Sequence, residues 1–337
     1  MLKGGILGFG NIGQQMTRYI GEAWQGRARI VAACNRGPEN LAVARDRFAL
    51  AVTHDPAELL AMDLDFVLVT STSAAHPAQV EAVAARGLAV FCEKPIALTL
   101  AEADRAIAAV ERAGVVNVVN YSMRFIEAYR TIRELARSGE LGRILAVHHM
   151  RTRGYGLHEA GARHRAVTEP RESGGWIVHH ACHDIDFLSW VHAPIVRAYA
   201  RTATTVPGGS SEELVLGLAD FADGAVGSIG DSVCRIREHT TLVVGSRASV
   251  AMSGEAGSTV LRLHREGSDR PEIIPARDEK RPGGGLDEFL ECVLAGRPSP
   301  NSLASARHSL AVALAMGESA RTGWPVDVPP ERPPDGP

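Results

Sequence analysis

Four short stretches of the sequence hold residues whose types and spacing suit chemistry. Gly8-Phe9-Gly10-Asn11-Ile12-Gly13 is a GxGxxG run placed after an apolar stretch and at the head of a helical pattern. In such a run the first glycine permits a tight turn. The second lets a pyrophosphate approach the backbone, and the third lets the helix pack closely on its strand. The helix N-terminus then offers N–H groups and partial positive charge to the phosphates, which points to a dinucleotide. Roughly 20 residues on, where an NAD-selective site places an acid for both ribose hydroxyls, the chain has Asn35-Arg36. Asn35 brings no charge to repel a 2′-phosphate and Arg36 could pair with one, so NAD(P) with a preference for NADP is expected. The plainer alternative is a solvated arginine in an ordinary loop.

Glu93-Lys94-Pro95 follows the apolar run 88–92. Only Lys3, Lys94 and Lys280 among the 36 basic residues are lysines, so a lysine in a motif poses a chemical question. Lysine can exchange a proton when its surroundings tune it, and arginine cannot. At the carboxyl end of a buried strand, where functional groups of doubly wound domains gather, Lys94 is a candidate general acid–base. The alternative is a surface ion pair with Glu93.

The last two stretches are 151–155 and 174–190. On a helix of 100° per residue, His179, His183, Asp186 and Trp190 fall within about 60° of one another, opposite Ile177, Ala181, Ile185 and Leu188. Gly174-Gly175 permit close approach of the backbone just before it. That face suits hydrogen bonding to the hydroxyls of a polyol, or else holds two satisfied structural histidines. Two histidines at i and i+4 could also bind a divalent ion, with Asp186, His148 or His149 as third ligand. Proton exchange through a lysine needs no metal, and none is expected. Arg151 and Arg153 either face an acidic substrate or belong to a solvated basic loop. With only 5% aromatic residues, Tyr155 and Trp176 are the best candidates for stacking on a sugar. His158, His164, His192 and His308 are expected at the surface.

The elements that must position these groups follow from hydrophobic periodicity. Apolar runs at 5–8, 29–34, 65–70, 88–92 and 115–119 alternate with helical patterns at 12–24, 38–48, 76–86 and 99–113. Continuous rather than alternating apolar strands imply a parallel sheet covered on both faces. After about residue 140 the strand-like runs (195–205, 213–221, 225–233, 240–244, 258–263) alternate apolar with polar, as in a mainly antiparallel sheet with one open face. Helical patterns at 286–294 and 303–319 close the chain. The expected fold is therefore α/β in two domains, 1–122 and 123–337, the C-terminal segment free to pack back on the first.

The 337 residues carry a net charge of −3, which gives no electrostatic reason to expect nucleic acid or an anionic membrane as partner. No apolar stretch reaches the roughly 18 residues of a membrane helix, and the N-terminus lacks an apolar leader core. The five cysteines are scattered with no CxxC, which suits a reducing cytoplasm.

Together, the GxGxxG run, Thr70-Ser71-Thr72-Ser73-Ala74-Ala75-His76, Glu93-Lys94-Pro95 and Gly174-Gly175 followed by His183-Asp184-Ile185-Asp186 resemble the glucose–fructose oxidoreductase/inositol dehydrogenase (Gfo/Idh/MocA) family. The resemblance extends through 286–289 and 302–323. It implies an N-terminal Rossmann domain, a C-terminal α/β domain with an open antiparallel sheet, a nicotinamide cofactor, and a homodimer or homotetramer built through that sheet. It makes Lys94 and His183 catalytic, places Thr70, Ser71, His76 and Glu93 along the cofactor, and assigns Asn120 and Arg124 to the segment beneath the nicotinamide. One position departs from the family: where its GGxxxDxxxH pattern has aspartate, this chain has His179. That puts a simple Lys–Asp–His relay in doubt and leaves His179 and Asp186 to orient substrate hydroxyls. The expected activity is hydride transfer to or from a secondary alcohol or ketone of a sugar, sugar derivative or cyclitol. A cofactor-retaining, redox-assisted glycosidase and a non-catalytic dinucleotide-responsive binding protein are the alternatives.

Overall fold

The computed structural model describes residues 1–152, 169–204, 211–233, 236–254, 259–277 and 283–330. The chain divides into two compact units, residues 1–121 with 282–307 and residues 122–281 with 308–337.

The first unit alternates strands and helices: β1 (Leu2–Leu7), α1 (Asn11–Ala23), β2 (Ala28–Cys34), α2 (Pro38–Phe48), β3 (Ala51–Thr53), α3 (Pro56–Leu60), β4 (Phe66–Val69), α4 (His76–Ala85), β5 (Ala89–Cys92), α5 (Leu100–Ala113) and β6 (Asn117–Val119). All six strands run parallel in the order β3-β2-β1-β4-β5-β6. Every residue of β4 and β5 is buried, as expected of strands covered on both faces. The strand order reverses at β1 and β4, the point where open α/β sheets form a crevice beyond the strands' carboxyl ends. Helix boundaries follow local chemistry. Pro38 opens α2, and Thr99 and Glu102 form a reciprocal capping box on α5 before Gly114 ends it at φ +62°. β3 and α3 are too short to show a period in the sequence.

In the second unit α6 (Glu127–Arg137) and β7 (Ile144–Thr152) precede a π-helical turn (Ile177–Ala181) that runs into α7 (Cys182–Val191). Then come β8 (Ile195–Ala203), β9 (Leu214–Phe221), β10 (Val226–Ser232), β11 (His239–Gly245), β12 (Ala248–Gly254), β13 (Val260–Arg265) and β14 (Glu272–Ile274). The chain returns to the first unit with α8 (Gly285–Ala295), then ends with α9 (Arg307–Thr322) and β15 (Val326–Asp327). The nine strands lie in the order β14-β13-β12-β11-β7-β10-β9-β8-β15, antiparallel except for the β7–β10 pair. Tyr129 of α6, Phe187 of α7 and His149 of β7 pack ring against ring beneath one face. Along β9, Val215, Ala219 and Phe221 are buried while Leu216 and Leu218 stand 48% and 59% exposed on the other.

The C-terminal segment, left free to pack back on the first domain, contributes residues 282–307 to the first unit: Leu286, Phe289 and Leu290 join its core, and Phe289 meets Phe66 and Phe91 edge-on or tilted at 5.7 and 5.6 Å. β12, β14 and β15 add strands, since β12 is built from Ala, Ser, Met and Gly around the single Val250 and the others span three and two residues.

Candidate active site

The glycine turn meets each demand made of it. Gly8 lies at φ +95°, and a Cβ there would stand 2.4 Å from the Ser71 nitrogen. A Cβ on Gly13 would stand 3.1 Å from the Gly8 carbonyl, so α1 lies tight against its strand. A Cβ on Gly10 would meet nothing within 4 Å. Gly10 caps α1 with no side-chain hydrogen bond, and no acid stands in the first turn. This N-terminus therefore offers its N–H groups and partial positive charge to an anion, with an exposed Ile12 beside it. The residues fit a pyrophosphate. Gly10→Ala is accordingly expected to leave the apoprotein's melting temperature unchanged while weakening dinucleotide binding about tenfold or more. Gly8→Ala, clashing with backbone at positive φ, should cost about 1–3 kcal/mol of stability. Thermal melts and fluorescence titration separate the two.

Where β2 ends, Asn35 donates from Nδ2 to the Gly37 carbonyl (3.2 Å) and Arg36 is exposed. Burial, with Asp55 and Glu58 nearby, pushes the neighbouring Cys34 thiol up to about 11, so it stays protonated and unreactive.

At the ends of β4 and β5 the next residues gather. Thr70 donates from Oγ1 to the Gly8 carbonyl (2.7 Å), and Ser71 donates to Gln79 Oε1 (2.7 Å). Glu93 donates its N–H to the Val69 carbonyl and accepts the Asn120 amide on Oε1 at 2.6 Å. Lys94, half-buried, is joined to Pro95 by a cis peptide. His76 is only 1% exposed, its Nδ1 lying 2.7 Å from the Pro95 carbonyl and its Nε2 3.2 Å from that of Ser71. The imidazole expected along the cofactor is thus sealed between two backbone turns.

In the second unit Ser211 and Glu212 accept the backbone N–H groups of Trp176 and Ile177, both at 3.0 Å, capping the π-helical turn. His179 within that turn and His183 in α7 are half-buried. Asp186 is not beside them on the presented face. It is 1% exposed and accepts Arg124 Nε (2.8 Å) and Nη2 (2.6 Å) and the Ser309 hydroxyl (2.6 Å). The wheel assumed 3.6 residues per turn throughout; the wider π-helical turn shifts His179 out of that phase, whereas Asp186, three residues after His183 within α7, is taken by Arg124 and Ser309. Arg124, expected in the segment beneath the nicotinamide, holds this carboxylate through Nε and Nη2.

Trp176 is likewise unavailable for stacking on a sugar. It is 0% exposed, donates from Nε1 to Asp231 (3.1 Å) and lies over His180 with ring centroids 4.1 Å apart. Asp231 belongs to a charge network that sequence spacing did not signal. Asp184 accepts His149 Nε2 (2.9 Å) and Arg151 Nη2 (2.7 Å), and Asp231 lies 3.7 Å from Arg151. Burial opposes the Arg151 charge, yet Asp184 and Asp231 outweigh it and hold the guanidinium above its usual range. Burial, with Arg151 and His149 close by, brings the adjacent His239 down to about 4. Arg151 is therefore neither a solvated arginine nor free for an acidic substrate. Strand parity could have put His149 and Arg151 on one face of β7, but their partners lie 33 to 35 residues away. Tyr155, Arg153, His158 and His164 lie outside the described residues. Among the described residues no group of three or more His, Cys, Asp or Glu is arranged for a metal, and no helix is long and apolar enough to cross a membrane.

The likeness to known proteins runs the length of both units. The chain is 24% identical over 307 residues to 2,7-anhydro-N-acetylneuraminate hydratase of Escherichia coli, covering 88% of this chain and 80% of that protein. It is 28% identical over 274 residues to 1,5-anhydro-D-fructose reductase of Ensifer adhaerens, covering 79% and 80%. In fold it resembles levoglucosan dehydrogenase solved with NADH and L-sorbose, with TM-score 0.86 at 22% identity over 97% of this chain and 99% of that one. Residues 2–121 match the "oxidoreductase family, NAD-binding Rossmann fold" profile and residues 129–251 the GFO/IDH/MocA C-terminal domain. With both halves matched across most of its length, the chain belongs to the GFO/IDH/MocA family of oxidoreductases.

Proposed function

We propose that the protein transfers hydride between a nicotinamide dinucleotide and a secondary alcohol or ketone carbon of a sugar, sugar derivative or cyclitol. The observation that carries this reading lies in the first unit. An uncapped helix N-terminus opens at Gly10, and across the strand ends from it Lys94 stands between two anchored neighbours. Gly8, Phe9, Gly10, Asn11, Ile12 and Gly13 hold the pyrophosphate, and Thr70 and Ser71 line the dinucleotide. The bound nicotinamide supplies or accepts the hydride. Lys94 exchanges the hydroxyl proton, and the Glu93–Asn120 hydrogen bond fixes its turn. His183 assists the proton exchange, and His179 takes hydrogen bonds from substrate hydroxyls. Asn35 and Arg36 favour NADP, because neither repels a 2′-phosphate.

Fluorescence titration of the purified protein with NADPH and NADH tests the first half, and a panel of sugars and inositols read by nicotinamide absorbance tests the second. Binding of both, tighter for NADPH, and turnover of a panel member are expected. Failure to bind either dinucleotide overturns the reading. The hydratase among the relatives favours one alternative outcome, conversion of an anhydro sugar or glycoside that requires the dinucleotide yet leaves its absorbance unchanged.

The open face of the nine-stranded sheet we assign to a second copy of the chain, as homodimer or homotetramer. Met150, Leu216, Leu218 and Leu242 are exposed there around a concavity of about 640 Å³, an apolar area that isolated chains rarely leave in water. Leu218→Glu should give monomers by light scattering with an unchanged circular dichroism spectrum; an intact oligomer would place the interface elsewhere. Among the described residues Cys34, Cys92, Cys182 and Cys292 are buried and outside any disulfide, which suits a cytoplasmic setting.

A further inference from the structure

We infer that His76 is a positioning residue for Lys94, its imidazole bracing the Glu93-Lys94-Pro95 turn against the Thr70-Ser71 turn. The inference rests on the proposed role of Lys94 and adds what sets that lysine's place.

His76 is the first residue of α4, so its backbone is fixed by a helix, and its ring is buried. A neutral imidazole has one N–H, and the 2.7 Å contact assigns it to Nδ1, donating to the Pro95 carbonyl. Burial, the dominant influence on this ring, holds its proton affinity below the ordinary histidine range and keeps it neutral. A neutral ring suits the place, since a permanent cation beside Lys94 would repel the ammonium. On its other side Nε2 lies 3.2 Å from the Ser71 carbonyl, which with the proton on Nδ1 is a packing contact and not a hydrogen bond. With Thr70 Oγ1 donating to the Gly8 carbonyl, a series of contacts runs from the glycine turn through the Thr70-Ser71 turn and the His76 ring to Pro95. The opposite flank of Lys94 is held separately, by Asn120 on Glu93. Without the imidazole, the Pro95 carbonyl loses its donor in a buried place and one flank of Lys94 is free to shift.

The test compares His76→Leu, which fills similar space without a donor, with His76→Gln, which keeps one. For His76→Leu we expect kcat to fall about 10–100-fold, the size of effect seen when a supporting hydrogen bond to a reacting group is lost. Dinucleotide Kd should stay within about threefold of wild type. The limb of the kcat–pH profile that depends on Lys94 should move, and His76→Gln should recover most of the rate. Wild-type kcat with an unmoved limb in His76→Leu overturns the inference, as does a loss that glutamine does not recover at matched melting temperature. Should His76→Leu not fold, ¹⁵N-histidine spectra of the wild-type apoprotein decide. An Nδ1–H tautomer at neutral pH supports the brace, and an Nε2–H tautomer overturns it. An inactive wild-type protein, or a fully active Lys94→Ala, would instead defeat the proposed function and not this structural role of His76.

Discussion

Lys94→Ala is expected to lower kcat by about 10²–10⁴-fold, the usual worth of a positioned acid–base, with dinucleotide Kd held within about threefold. The separation follows from where the groups sit. The features proposed to hold the pyrophosphate belong to β1, the glycine turn and α1, whereas Lys94 follows β5. The turn should also survive the substitution. Three fixed points remain in the variant: the Glu93 N–H on Val69, the Glu93 carboxylate on Asn120 and the Pro95 carbonyl on His76. Lys94→Arg sharpens the test, because it keeps the positive charge but cannot exchange the proton. If Lys94 acts only as a cation that orients substrate, arginine should restore much of the rate. If it carries the proton, arginine should remain as slow as alanine. Single-turnover hydride transfer, followed by nicotinamide absorbance, is the measurement. Wild-type activity in the alanine variant would remove the lysine from the chemistry.

How much of this was legible in the sequence depends on whether the information was local. GxGxxG could be read because each glycine answers a demand of its own turn, and the structure shows the three demands separately at Gly8, Gly10 and Gly13. The parallel sheet was legible because double burial leaves uninterrupted apolar runs such as Phe66–Val69 and Ala89–Cys92. What could not be read was partner choice over distance. Nothing in the neighbourhood of Asp186 says that Arg124 and Ser309, 62 and 123 residues away, will consume its carboxylate. A helical wheel sees only phase, and here a π-helical turn altered even that. The same blindness made Trp176 look like a platform for a sugar, when its indole N–H was already owed to Asp231. Composition did help once: with so few lysines, the chemical question put to Lys94 came from the residue counts.

Arg124→Met should destabilise the protein by about 3–5 kcal/mol in urea unfolding, the cost of stranding one half of a buried ion pair. Arg124 and Asp186 meet through two nearly parallel hydrogen bonds, with side chains 5% and 1% exposed. Once the guanidinium is gone, the Ser309 hydroxyl is a single neutral donor against a full charge. The cost lies in the uncompensated carboxylate rather than in the lost attraction. The double variant Arg124→Met/Asp186→Leu should therefore be more stable than Arg124→Met alone, although it removes more of the native structure. The same pair of variants separates the two roles that can be given to Arg124. A guanidinium touching the dinucleotide would show its loss in Kd, with stability little changed and no recovery when Asp186 is also replaced. A guanidinium spent on Asp186 shows its loss in stability, recovered in part by the second substitution. An Arg124→Met variant within about 1 kcal/mol of wild type would mean that the pair is screened by water in solution, as exposed pairs are.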